Sequence, residues 1–177
     1  MPANSGRYWS RRSRYHCGSD VSLMNEEHLR TYLSDHLAGS VGAVELLKAL
    51  IHDGAERPRA AEFRSLLTEI DEDRSVLKDL LHRLSADESP IKNAGAWLTE
   101  KALRPKTSSD SPLGLLEALE VLSLGIEGKL RLWQVLAVAD WQSGLDLTAL
   151  EQRARDQITR VEAMRLDAAR AAFSARE

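Results

Sequence analysis

From Asn25 onward, apolar residues return every three or four positions, the period of one helix face. Leu29, Leu33, Leu37, Val41, Val44, Leu47 and Ile51 make the first stripe. Asn25 is placed to cap it, and Glu26 and Glu27 suit the positive end of the helix dipole. Asp53-Gly54 ends it. Pro58 fits a first helical position, ahead of a second stripe through Phe63, Leu66, Leu67, Ile70, Val76, Leu77, Leu80, Leu81 and Leu84. Ser111-Pro112 opens a third helix with a capping hydroxyl and a proline whose missing N–H costs nothing there. Its stripe is Leu116, Leu119, Leu122, Ile126, Leu130, Trp133 and Leu136. After the Ser143-Gly144 break, Thr148 and Glu151 have capping-box spacing. Leu150, Ala154, Ile158, Val161, Met164, Arg165, Ala168 and Ala172 follow on the fourth helix.

The predicted spans are 25–53, 58–85, 112–141 and 146–174, each about 28 residues or ~42 Å long. Helices of matched length cover one another's apolar stripes side by side, and no segment alternates with the period of a strand. The expected fold is an all-α four-helix bundle. Links of about four residues make the first and second helices, and the third and fourth, antiparallel hairpins. The link over 86–111 is far longer. Ala94, Trp97, Leu98, Ala102 and Leu103 give it the pattern of a short amphipathic helix. Its reach of up to ~65 Å allows a crossover that sets the third helix parallel to the second, which is ferritin-like connectivity. A return over the same end, giving an up-down bundle, is the alternative; it needs far fewer residues.

Residues 1–23 break the pattern. They carry Arg7, Arg11, Arg12 and Arg14 against Asp20, a net +3, and leave the other residues at −6. No apolar h-region of a secretory signal is present. The segment reads as a disordered basic extension ahead of a bundle domain at 24–177, with Met24 as an alternative start. Over all 177 residues the net charge is −3, with 43 % hydrophobic and 29 % charged residues. That balance is globular and disfavours nucleic-acid binding. No apolar run reaches the ~18 residues of a membrane span. A lone Cys17 excludes an internal disulfide and a multi-cysteine zinc site. A cytoplasmic location follows as the expectation.

Candidate chemistry lies where polar residues fall on apolar faces. His36, Asp73, Glu127 and Gln157 come to one mid-bundle level under the crossover topology, and Glu120 lies one heptad before Glu127. Two readings stand. In the first, acids pair with Arg74, Lys129 or Arg165 and hydrogen-bond to His36 and Gln157, fixing register at some cost in stability. In the second, His36, Asp73, Glu120 and Glu127 hold iron or manganese, as in ferritin-like carboxylate proteins. Those proteins use paired Glu-x-x-His motifs, and this chain has none. Nor does it have a nucleophile elbow, and Gly39-x-x-Gly42 and Gly125-x-x-Gly128 lie inside helices, not in phosphate loops. These mid-helix glycines, with Ser40, Ala43 and Ser123, predict close helix approach or room for Trp133. The arginines at 153, 155, 160, 165 and 170 alternate with acids and read as a solvated face.

Residues 32–40 (YLSDHLAGS), 69–74 (EIDEDR), 96–101 (AWLTEK), 117–120 (EALE) and 124–130 (LGIEGKL), with Trp133, resemble a family of uncharacterised bacterial helical hypothetical proteins. The resemblance spans about 32–172 and implies no activity. The comparison with ferritin-like bundles is one of topology alone. The expectation is a non-enzymatic structural or interaction module without a cofactor, with a homodimer among its states and its partner protein unspecified. The rival is a di-iron or di-manganese oxidase or metal-storage protein.

Overall fold

Helix starts are fixed by side chains that accept orphan backbone N–H groups. Asn25 Oδ1 accepts the His28 N–H at 3.0 Å. Ser111 Oγ accepts that of Gly114 at 3.0 Å, with Pro112 in the first turn behind it. The computed structural model describes residues 25–53, 59–84, 111–139 and 144–174. Among them are four helices and no strand: α1 (Glu26–Asp53), α2 (Ala60–Leu84), α3 (Pro112–Val138) and α4 (Leu147–Phe173). The basic extension, the Pro58 position, the short helix expected in the 86–111 link and residues 140–143 lie outside the described residues.

The fourth helix starts differently from expectation. Asp146, not Thr148, caps it, and its Oδ1 accepts the Ala149 N–H at 2.9 Å. Gly144 sits just before it at φ 70°, a left-handed turn that suits glycine. The chain leaves that turn already aimed along the helix, so Thr148 falls inside the first turn.

Every residue of the expected α3 stripe is buried, from Leu116 to Leu136. On α4 the buried line runs Leu150, Ala154, Gln157, Val161, Met164 and Ala168, so Gln157 takes the place expected of Ile158. On α2 one core position is Asp73. α3 packs most extensively on α4 and α1 on α2, with a smaller α1–α3 contact. The small side chains of Ala154 and Ala168, both buried, help α4 come close to its neighbours.

Side-chain pairs give the direction of each contact. Arg30 at the start of α1 donates to the Leu84 carbonyl at the end of α2, 3.3 Å away. Arg59, just ahead of α2, and Glu69 and Asp73 on it pair with Asp167, Arg160 and Arg153 of α4, in descending order. Along α3, Glu120 and Lys129 meet Arg165 and Gln157 of α4, again in descending order. α2 and α3 therefore each run against α4. No described helix is long and apolar enough to cross a membrane.

Candidate functional site

The middle of the bundle holds a polar chain that ties α2, α3 and α4 together. Asp73 is only 2 % exposed. Its Oδ2 accepts from Lys129 Nζ at 2.5 Å, and its Oδ1 accepts from the Arg153 guanidinium. Lys129 also donates to Gln157 Oε1. The fully buried Gln157 donates through Nε2 to Glu69 Oε2 at 3.0 Å. Glu69 further accepts from Arg160 and from Ser65 Oγ, the latter at 2.9 Å. Arg153 closes the outer end on Glu72 at 3.0 Å. Three acids and three bases alternate, so the layer is electrically balanced, as buried charge must be.

Burial pushes the Lys129 ammonium below its usual range, and Asp73 beside it opposes that shift. Burial raises Glu69, but hydrogen bonds from Arg160, Gln157 and Ser65 outweigh it and hold the carboxyl below its ordinary value. Both oxygens of Asp73 are engaged by cations, which leaves it poorly placed to act as a general base.

Toward α1 the same layer borders a cavity of about 360 Å³ between α1, α2 and α3. Ile70, Leu77, Ile126, Leu132 and Trp133 supply apolar wall, while Tyr32, His36 and Ser40 of α1 supply a more polar one. The Tyr32 and His36 rings meet edge to face, centroids 4.7 Å apart. Burial lowers the His36 pKa, with Asp35 opposing, and raises that of Tyr32. Both groups thus favour their neutral forms at neutral pH. Trp133 is buried, and its indole N–H has no acceptor among the described residues.

Gly39, Gly125 and Gly128 also line this cavity. A Cβ added at any of the three would meet nothing within 4 Å. The close helix approach expected at these positions is therefore not what they serve. They leave space.

The four residues considered as metal ligands do not converge. His36 and Asp73 line the cavity. Glu120 is paired with Arg165 at 3.4 Å and Glu127 with Arg131 at 3.5 Å; neither lines it. Arg74, considered as a partner of Asp73, pairs with Asp71 at 3.4 Å. A carboxylate flanked by lysine and arginine, with the other acids elsewhere, does not fit a di-iron or di-manganese centre. Among the described residues no group of three or more His, Cys, Asp or Glu side chains could hold a metal ion.

Arg153 and Arg160 were expected on a solvated face. They reach instead across to α2. The signal was present: Arg153, Gln157 and Arg160 recur at helical spacing, as do Glu69 and Asp73. No protein-family model, no curated protein and no solved structure matches the chain.

Proposed function

We propose that the protein is a non-enzymatic interaction module whose α1–α2–α3 cavity receives a small, planar, mainly apolar molecule. The pocket itself carries this reading: Ile70, Leu77, Ile126, Leu132 and Trp133 on one side, Tyr32 and His36 on the other, with Gly39, Gly125 and Gly128 along its lining. A glycine inside a helix costs ~1 kcal/mol relative to alanine. Close packing can offset that cost, and here no neighbour among the described residues is close enough to provide it. The volume, about 360 Å³, falls within the roughly 300–1,000 Å³ of small-molecule sites. The Tyr32, His36 and Trp133 rings favour an aromatic guest. A neutral imidazole offers it one donor and one acceptor. The balanced ion layer leaves no surplus charge to attract an anion, so recognition rests on shape and apolar contact.

Ferritin-like connectivity belongs to the same proposal. Its support is that α2 and α3 both run against α4, as a crossover link would require. Kinship with the bacterial hypothetical-protein family is likewise proposed, and adds no activity.

Calorimetric titration with indole tests the cavity. One saturable site is expected in the wild type, and none in a Gly39→Leu/Gly125→Leu variant, whose side chains occupy the space. Equal binding by both proteins would remove the cavity from the reading.

A further inference from the structure

The outer side of α3, turned away from its core stripe, is also apolar. Leu113, Val121, Leu124, Val135 and Val138 are all exposed, Leu124 by 73 % and Val138 by 87 %. Isolated surface leucines and valines are ordinary, but these follow a rule. Val121, Leu124, Gly128, Arg131, Val135 and Val138 succeed one another at steps of three, four, three, four and three. That is the spacing of the a and d positions of a coiled-coil seam.

The seam is also complementary to itself. Laid against a second copy running the opposite way, Val121 falls opposite Val138, Leu124 opposite Val135, and Gly128 opposite Arg131. The two ends are apolar against apolar, and the centre sets the longest side chain against the smallest. Gly128 is half-buried at the edge between this face and the cavity, and a Cβ there would meet nothing within 4 Å among the described residues, so the arginine of the second copy has room to cross on its outer side. Glu127 stands beside Gly128 and would accept its guanidinium. In the single chain, among the described residues, Arg131 bonds to its own helix, to Glu127 at 3.5 Å and Gln134 at 3.1 Å. Each copy thus offers one acid and one base in exchanged positions, a complementarity that steers pairing and fixes register. A parallel arrangement would instead stack Arg131 on Arg131.

We propose that two copies of this chain pair through the outer face of α3 as an antiparallel two-helix seam centred between Gly128 and Arg131. A contact along one helix face of ~27 Å is small for an interface, so the dimer belongs to the weak, reversible class.

Sedimentation velocity of the full chain, up to ~1 mM and so above the micromolar range of such interfaces, is the first test. A monomer–dimer equilibrium is expected, weakened at least about tenfold by Leu124→Glu while circular dichroism and melting stay unchanged. Disulfide trapping then reads the register in a Cys17→Ser background. Leu124→Cys/Val135→Cys should cross-link into dimers on mild oxidation, whereas Leu124→Cys alone should not. A wild type that stays monomeric would overturn the proposal, as would a dimer that ignores Leu124→Glu. Efficient cross-linking by Leu124→Cys alone would overturn the antiparallel register.

Discussion

Asp73 is the residue on which most depends, because it is buried between two cations from two other helices. Asp73→Ala strands Lys129 in the interior and frees Arg153. Breaking a buried pair from one side costs ~3–5 kcal/mol, and chemical denaturation should show a loss of that order. Replacing Asp73, Lys129 and Gln157 together by apolar residues of similar volume should cost far less, since no charge is then left unpaired. An equal loss in both variants would show that packing, not charge, dominates at this level. His36 sets a different dependence. Burial depresses its folded pKa below the ordinary 6.5. As pH falls through 6.5 the unfolded chain takes up the proton first, so this contribution, complete above 6.5, is lost between 6.5 and the lower folded value. Asp35 on α1, Asp73 and Arg74 on α2 and Lys129 on α3 share its surroundings. Melting temperature should drop across that window, and the drop should shrink in His36→Phe. Glu69, held below its ordinary 4.5, adds a second loss of the same sign as pH falls below 4.5.

Helices differ in how plainly they could be read. α3 was legible throughout, because its stripe is strictly periodic and Ser111-Pro112 marks its start without a rival. α4 was misread at its cap, where Asp146 and Thr148 are both competent. Only the backbone leaving Gly144 decides between them. The polar layer was legible in part. Asp73 and Gln157 stand out as polar residues on apolar stripes and Lys129 as a possible partner for the acid, whereas Arg153 and Arg160 read as solvated among neighbouring acids. Their long side chains cross a gap that sequence spacing does not measure. Glu127 was placed in the layer, yet it faces Arg131 on the flank of α3, since one position past Ile126 is a rotation of about 100°. The cavity was not legible, because empty volume depends on three helices at once. Its glycines give an element-scale prediction. Gly39→Ala and Gly125→Ala should each stabilise the helix they sit in by up to ~1 kcal/mol, read as a higher denaturation midpoint. Destabilisation by either would mean that space at that position is already filled.

At the scale of the molecule, the contacts that α4 makes with α3 and with α2 differ in character. α3 and α4 join mainly through apolar side chains, with small residues on α4 and the Lys129–Gln157 bond crossing between them, while α2 and α4 are bridged by arginines and acids. The first supplies hydrophobic stabilisation, and the second fixes the direction and register in which α2 meets the α3–α4 pair. α1 packs on α2 and, to a lesser extent, on α3, and the cavity opens where its glycine-bearing side faces theirs. On the proposed reading, stability given up at the glycines and room for a guest are linked. Thermal unfolding of wild type and Gly39→Leu/Gly125→Leu, each with and without saturating indole, measures both at once. A cavity kept open for binding predicts that the variant melts higher without indole, by ~2–4 °C per kcal/mol gained, and that indole raises only the wild type. A variant that melts lower, or an indole shift common to both proteins, would contradict it.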